Sequence, residues 1–338
     1  MSRRGLGVAD YCEGVLAGQR RLVAKTITLL ESRRDDHRVL GQQVLDKLVP
    51  HTGGALRVGI TGPPGVGKSS FIEALGLELL GEGQRVAVLA VDPSSPVSGG
   101  SILGDKTRME RLSREPNAFI RPSPSGGTLG GVAHRTREAL LVCEAAGFGV
   151  VLVETVGVGQ SEIEVRSMVD FFAVLLQPGA GDDLQGIKRG VLELADALVV
   201  NKADGECAQL AQRARVDYEH ALQLLRPATA TWRPPVLVAS ARLGTGIAEF
   251  WQTVVAHREC LGASGELDQQ RRRQAKVWLW RLVEEGLDSA FRSDPGVAER
   301  IQELEREVEV HAMSAPRVAS LLLEGFLERA GRKRSPRR

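Results

Sequence analysis

The sequence contains few cysteines, few aromatic residues and almost no net charge. Among 338 residues there are four cysteines, six histidines and 4% aromatic residues, and the formal net charge is +2. Cys12, Cys143, Cys207 and Cys260 form no C-x-x-C pair, which argues against a zinc site or a disulfide framework and favours a reducing compartment. The near-neutral balance gives no reason to expect nucleic acid or a membrane surface as a partner.

Long apolar runs are lacking as well. Asp10 and Glu13 interrupt any apolar signal core near the start, and no run approaches the length that crosses a membrane. Hydrophobic residues make up 43% of the chain and charged residues 25%, which is typical of a globular protein. We therefore expect a cytoplasmic protein with an ordinary hydrophobic core.

One stretch carries a strong functional signal. An apolar run at 56–61 leads directly into a full G-x-x-x-x-G-K-[ST] motif, and a helical pattern follows it. The glycines allow positive φ, so that backbone N–H groups and a helix N-terminus can face a phosphate. Lys68 then supplies charge to the β- and γ-phosphates, and Ser69 supplies a hydroxyl to Mg²⁺. The predicted phosphate-binding residues are Gly62, Pro63, Pro64, Gly65, Val66, Gly67, Lys68, Ser69 and Ser70.

The rest of the chain predicts an α/β fold. Short apolar runs rich in β-branched residues follow at 86–91, 118–120, 150–154, 171–176, 197–200 and 236–238, with helical patterns between most of them. This alternation predicts a doubly wound, mostly parallel sheet with ligands at the carboxyl ends of its strands. We expect an N-terminal helical extension at 1–54, a nucleotide-binding domain at 55–262 and a C-terminal helical region at 263–338.

Acidic residues follow two of these strands. Asp92 ends the second strand, and Asp105 lies in the Pro-, Ser- and Gly-rich loop behind it. Each is a candidate Mg²⁺ ligand, although Asp92 could merely start a turn and Asp105 could cap a helix. Glu154 ends the fourth strand, three residues before Gly157, whose N–H can sense a γ-phosphate. Whether Glu154 meets Mg²⁺ directly or through water stays open.

A base-recognition motif follows the sixth strand. In Asn201-Lys202-Ala203-Asp204, the Asp204 carboxylate can accept hydrogen bonds from guanine N1–H and its exocyclic amine, whereas adenine presents a lone pair. After the last strand, Ser240, Ala241 and Arg242 could bring a backbone N–H to guanine O6. These motifs predict that the nucleotide is GTP.

The motifs together resemble one protein family. The run from Val91-Asp92-Pro93 to Arg108-Met109, with Glu154-Thr155-Val156-Gly157-Val158-Gly159-Gln160, resembles the MeaB/ArgK family, similar to the human methylmalonic aciduria type A protein. The resemblance implies a GTPase that attends an adenosylcobalamin-dependent methylmalonyl-CoA mutase. It implies GTP/GDP and Mg²⁺ as cofactors, with a phosphate and metal centre at Lys68, Ser69, Asp92, Asp105 and Glu154.

The resemblance also implies a relay loop and a dimer. In the glycine-rich loop at 177–190, it implies that Lys188, Asp182 and Gln185 relay the nucleotide state to the mutase. The C-terminal apolar stripe of Val277, Trp280, Val283, Leu287 and Phe291 fits a homodimer contact, unless the helical patterns at 298–310 and 316–327 cover it.

The function expected from sequence is therefore a GTP-hydrolysing chaperone that gates cofactor loading and protects a cobalamin-dependent acyl-CoA mutase. The alternatives are a nickel or cobalt metallochaperone GTPase and, less favoured, a kinase. The sequence leaves open which acyl-CoA mutase is the partner.

Overall fold

Seven strands form one sheet in the part of the chain that the structure describes. The structure is a computed structural model and describes residues 6–32, 34–91, 109–122, 129–155, 161–179, 189–224, 229 and 231–333. The strands are β1 (Leu56–Thr61), β2 (Val86–Val91), β3 (Ala118–Arg121), β4 (Val150–Thr155), β5 (Phe171–Leu176), β6 (Ala197–Val200) and β7 (Val236–Val238). Their order is β3-β2-β4-β1-β5-β6-β7, and each of these neighbouring pairs runs parallel. The predicted doubly wound parallel sheet is confirmed.

Helices alternate with these strands and continue after them. The described helices are α1 (Val8–Leu16), α2 (Arg20–Leu30), α3 (Asp35–Leu48), α4 (Lys68–Gly81), α5 (Glu110–Arg114), α6 (Leu129–Ala145), α7 (Ser161–Arg166), α8 (Arg189–Leu192), α9 (Cys207–Gln223), α10 (Ile247–Ser264), α11 (Glu266–Arg292), α12 (Pro295–Ala298), α13 (Ile301–Glu309) and α14 (Ala315–Lys333). A 3₁₀ turn, Val49–His51, follows α3.

The sheet separates two hydrophobic cores, because alternate residues of a strand point to opposite faces. In β4, Val151 and Val153 join the core that includes α1, α2, α3, α6 and α9. Val150 and Leu152 join the core on the other face, beneath α4, α5 and α10. Every residue of β1, β4 and β5 is buried, which explains why these strands are mainly apolar and do not alternate apolar with polar residues.

The three N-terminal helices pack on one another and on α6. Polar side chains attach this arm to the nearby edge of the sheet. Arg20 of α2 donates to the carbonyl oxygens of Ser113 and Glu115 at 3.3 Å, and Arg121 at the end of β3 pairs with Glu31. The boundary at residue 54, which would make this arm a separate extension, stays a prediction.

Buried ion pairs lie at the amino-terminal ends of β1 and β5. Arg57 contacts Glu144 at 2.6 Å, and their side chains are only 10% and 1% exposed. Asp170, just before β5, accepts from the Arg57 backbone N–H at 2.9 Å and pairs with Arg271 at 2.7 Å. Burial alone would lower the pKa of Arg271, but its hydrogen bonds and charge pairing with Asp170 raise it. These contacts hold the first residues of α11 to the base of the sheet.

The chain divides into two compact units, Met1–Arg271 and Arg272–Arg338. In the second unit, Asp294 caps α12 by accepting from the Gly296 and Val297 backbone N–H groups and also pairs with Arg329 of α14. Phe291 packs edge to face on Phe326, with ring centroids 5.4 Å apart. The unit is helical, as expected, while the predicted domain boundary after residue 262 stays a prediction.

We expect the substitution Glu144→Gln to lower the free energy of unfolding by about 3 kcal/mol, because it leaves the buried Arg57 guanidinium without a counter-charge. Chemical denaturation measures the change. The matched control is Glu219→Gln, whose partner Arg215 is 46% exposed and whose loss should cost less than about 1 kcal/mol. Equal losses in the two variants would contradict the importance of the buried pair.

Candidate functional site

The loop between β1 and α4 has the backbone shape of a phosphate cradle. Gly62, Gly65 and Gly67 have φ of 149°, 79° and 95°, a backbone conformation that residues with a Cβ rarely adopt. A Cβ on Gly62 would lie 2.5 Å from the Leu175 carbonyl oxygen. Gly67 caps α4, so the N-terminal end of that helix faces the loop. Pro63 and Pro64, whose φ is restricted by the ring, fill the positions between the first two glycines.

Lys68 places its charge inside this loop. Its Nζ donates to the carbonyl oxygens of Gly62 at 2.8 Å and Pro63 at 3.2 Å, and the residue is 8% exposed. Lys68 and Ser69 open α4, followed by Ser70 in the same first turn. The predicted phosphate-binding residues therefore lie together at one strand-to-helix junction.

Hydroxyl and carboxylate oxygens meet beside the cradle. Ser69 Oγ donates to Glu154 Oε1 at 2.9 Å, and the Glu154 residue is 8% exposed. Next to this pair, Thr155 Oγ1 donates to Thr61 Oγ1 at 2.6 Å across the ends of β4 and β1. Oxygen ligands of this kind suit Mg²⁺, so Ser69 and Glu154 fit the predicted metal centre.

Side chains of the base-recognition motif hold the loop from the other side. Asn201 Nδ2 donates to the Val66 carbonyl oxygen at 2.9 Å, and Lys202 Nζ donates to the Gly65 carbonyl oxygen at 2.6 Å. Lys202 has a φ of 60°, a left-handed conformation that is uncommon for a residue with a Cβ. A Cβ on Gly67 would lie 2.8 Å from Asn201 Nδ2, so the close approach requires glycine there. The two motifs therefore form one site.

The carboxylate predicted to recognise guanine is also held in place. Ser240 Oγ donates to Asp204 Oδ2, and the Ala241 backbone N–H donates to Asn201 Oδ1 at 3.3 Å. Ser240 and Ala241 thus lie directly against the Asn201 motif, while the predicted contact of this segment with guanine O6 stays a prediction. Gly246, with a φ of 76°, closes the turn behind it, where a Cβ would lie 2.3 Å from the Val238 carbonyl oxygen.

Four predicted site residues lie outside the described residues: Asp92, Asp105, Gly157 and Lys188. Their roles stay predictions, as do those of Asp182 and Gln185 in the same loop as Lys188. Sequence reasoning missed the Thr61–Thr155 hydroxyl pair. One signal in the sequence was available. Each threonine is the last residue of its strand, and each adjoins a motif residue in the chain: Gly62 follows Thr61, and Glu154 precedes Thr155.

Two further features are absent from the residues that the structure describes. No group of three or more His, Cys, Asp or Glu side chains among them could hold a metal ion. None of the helices in those residues combines the length and the apolar character that crossing a membrane requires.

Comparison with known proteins gives one family. The family described as "Methylmalonyl Co-A mutase-associated GTPase MeaB" matches residues 23–296. The chain is 53% identical over 278 residues to the protein named GTPase ArgK of Escherichia coli strain K12, covering 82% of this chain and 84% of that protein. It is 48% identical over 326 residues to the methylmalonic aciduria type A homolog, mitochondrial, of Mus musculus, covering 94% and 79% of the two chains.

A solved structure has a similar fold over nearly the whole chain. The crystal structure described as a LAO/AO transport system kinase superposes with a TM-score of 0.76 at 39% sequence identity. The superposition covers 95% of this chain and 97% of that one.

We expect Asp204→Asn to weaken GTP binding by roughly 1.5 to 3 kcal/mol, because the amide donors face guanine N–H groups and the charge-assisted pair is lost. Calorimetry measures the affinity. Asp217→Asn, an exposed position on α9, is the matched control. Xanthine carries a carbonyl where guanine carries its amine, so the Asp204→Asn protein should prefer XTP. Unchanged GTP affinity would remove Asp204 from the base site.

Proposed function

The chain belongs to the family of the methylmalonyl-CoA mutase-associated GTPase MeaB, and from this membership we propose that it is a Mg²⁺-dependent GTP switch serving an acyl-CoA mutase. Its action is to gate cofactor loading of an adenosylcobalamin-dependent mutase, such as methylmalonyl-CoA mutase, and to protect the loaded enzyme. We place it in the cytoplasm, where dispersed thiols stay reduced.

The observation that carries the proposal is the contact between the two nucleotide motifs. Asn201 and Lys202 donate to carbonyl oxygens of Val66 and Gly65, so base recognition and phosphate binding share one set of hydrogen bonds. In a trans peptide the C=O and the following N–H point in opposite directions. Holding the Val66 carbonyl therefore turns the Gly67 N–H away from Asn201 and leaves it available to an anion.

Each residue then has a distinct part in binding and hydrolysis. Lys68 exchanges its two carbonyl partners for phosphate oxygens, and Asp204 accepts the guanine N–H groups while Ser240 holds its carboxylate. Ser69 and Glu154 would hold Mg²⁺, which when bound neutralises charge that develops on the phosphates. Asp92 and Asp105 are proposed to complete that centre, and the Gly157 N–H to sense the γ-phosphate.

We include the mutase in the proposal because the sequence offers no obvious residue that would position the attacking water. No glutamine directly follows Glu154-Thr155-Val156-Gly157 to position water, so hydrolysis by the protein alone should be slow. A partner can supply or order the missing groups, and such groups raise GTPase rates by orders of magnitude. We propose that the loop at 179–190 makes this connection.

We expect Lys188→Ala to cut mutase-stimulated hydrolysis by about tenfold or more while changing basal hydrolysis much less, because Lys188 acts only when the mutase is bound. Phosphate release with and without purified mutase measures both rates. Lys68→Ala is the reference variant and should abolish both. Equal fractional losses in Lys188→Ala would show that this loop is no relay, and transfer of the γ-phosphate to a protein instead of water would support a kinase.

We also propose that the protein is a homodimer through α11. Val277, Trp280, Val283 and Leu287 lie along one stripe of this helix and remain 42%, 57%, 39% and 59% exposed. Phe291, predicted to share the stripe, is instead covered by Phe326. An apolar stripe of this length on a surface helix is the usual mark of a helix–helix contact.

Trp280→Glu is expected to convert the dimer to monomer, because a charge in the centre of the stripe would be buried without a partner. Sedimentation velocity measures the mass. Ala275→Glu adds the same charge on a different face of α11 and should leave the dimer intact. A wild-type monomer, or a Trp280→Glu dimer, would exclude this interface.

A further inference from the structure

The apex of the phosphate loop is a β-turn with its own hydrogen bond. The Val66 backbone N–H donates to the Pro63 carbonyl oxygen at 3.3 Å, which joins the fourth residue of the turn to the first. Pro64 is the second residue, and Gly65, with a φ of 79°, is the third. A proline in second place followed by a residue with positive φ is the pattern of a type II turn. The conformation of the apex is therefore held within four consecutive residues.

The two prolines contribute shape to the loop and not backbone contacts to a phosphate. Neither Pro63 nor Pro64 has an N–H group that could donate to an anion. Backbone donors to a phosphate are thus left to Gly65, Gly67 and the first turn of α4. The ring of Pro64 holds φ at about −65°, close to the value that the second residue of a type II turn requires. Pro64 therefore favours the turn without touching the ligand through its backbone N.

Two lysines also donate to carbonyl oxygens of the turn. Lys68 Nζ donates to the Pro63 carbonyl oxygen at 3.2 Å, so this oxygen accepts from both Lys68 and Val66. Lys202 Nζ donates to the Gly65 carbonyl oxygen at 2.6 Å. A carbonyl oxygen has two lone pairs, so the Val66 hydrogen bond does not depend on the lysine that shares its acceptor. Lys68 can therefore turn to a phosphate while the turn keeps its own hydrogen bond.

Gly65 meets a conformational requirement and not a steric one. Among the described residues, no heavy atom lies within 4 Å of a Cβ built on Gly65, its two chain neighbours apart. Gly62 and Gly67 differ, since a Cβ on either would lie 2.5 Å or 2.8 Å from a neighbouring atom. A side chain at residue 65 would thus carry the cost of positive φ alone. Substitution there weakens the turn without a clash inside the protein.

We propose that Pro64 and Gly65 are positioning residues for nucleotide binding, which keep the phosphate loop in its receiving shape before the nucleotide arrives. This inference rests on the proposed function. A loop that samples other shapes binds more weakly, in proportion to the fraction of molecules that have the competent one. A turn that fixes the apex in advance removes this loss and the entropy cost of ordering the loop. The site thus combines a fixed apex with a movable Lys68 side chain.

Pro64→Ala tests the fixed apex by calorimetric titration with GDP. The change frees φ of residue 64 and removes no hydrogen bond, so the dissociation constant should rise by about threefold with an unchanged binding enthalpy. Pro50→Ala, in the exposed 3₁₀ turn before β1, is the matched control for loss of a proline and should bind GDP like the wild type. Unchanged GDP affinity in Pro64→Ala, with a lower free energy of unfolding, would show a turn that serves only stability and would overturn the proposal.

A second readout uses protein from which nucleotide has been removed. Amide hydrogen exchange of the Val66 N–H reports on the turn, because a hydrogen-bonded amide exchanges slowly until its bond opens. Protection of this amide should fall in Pro64→Ala and persist in Lys68→Ala, since the turn does not need the lysine. Loss of the protection in Lys68→Ala would show that the lysine holds the loop and would refute the proposal.

Gly65→Ala tests the same turn independently, because it penalises positive φ at a position with open space around it. It should weaken GDP binding by about tenfold and expose the Val66 amide to exchange. A wild-type protein that binds neither GDP nor GTP would refute the proposed function. Nucleotide binding that is unaffected in both Pro64→Ala and Gly65→Ala would refute only the role of the turn.

Discussion

The site depends on a backbone that would be unstable without side-chain support. A loop with three glycines at positive φ turns its carbonyl groups toward other parts of the protein, and each needs a donor. Lys68 serves Gly62 and Pro63, while Asn201 and Lys202 serve Val66 and Gly65. Because those donors come from α4 and from the end of β6, the cradle can form only when both elements are in place on the sheet.

The parallel sheet brings these donors together. In this sheet β1 lies between β4 and β5, and β5 pairs with β6, so the carboxyl ends that carry Thr61, Glu154 and Asn201 lie along one edge. The opposite edge is held by the buried Arg57–Glu144 pair and by the Asp170–Arg271 contact. The two ends of the strands thus have different roles. Charge pairs at the amino-terminal ends stabilise the strand arrangement, and the polar side chains at the carboxyl ends lie at the predicted nucleotide site.

The separation of interacting residues along the chain explains which parts of the site could be predicted. The glycines, Lys68 and Ser69 act within one continuous segment, so their spacing alone predicted their arrangement at the strand-to-helix junction. The Asn201 motif was recognisable for the same reason, since its residues act within four positions. By contrast, the hydrogen bond from Asn201 to the Val66 carbonyl oxygen joins residues 135 positions apart, and no local pattern connects them.

The sequence by itself determined the strands, the P-loop and the family, and it predicted the base-recognition motif, because each depends on hydrophobic periodicity or on residues close together in the chain. Only the tertiary structure decided that Asn201 and Lys202 hold the P-loop carbonyls, that Ser69 meets Glu154, and that Phe291 leaves the exposed stripe of α11 to pack on Phe326. These contacts join residues tens to more than a hundred positions apart. Hydrogen bonds and packing act over a few ångströms in space, whatever the separation along the chain, so a linear pattern does not contain them.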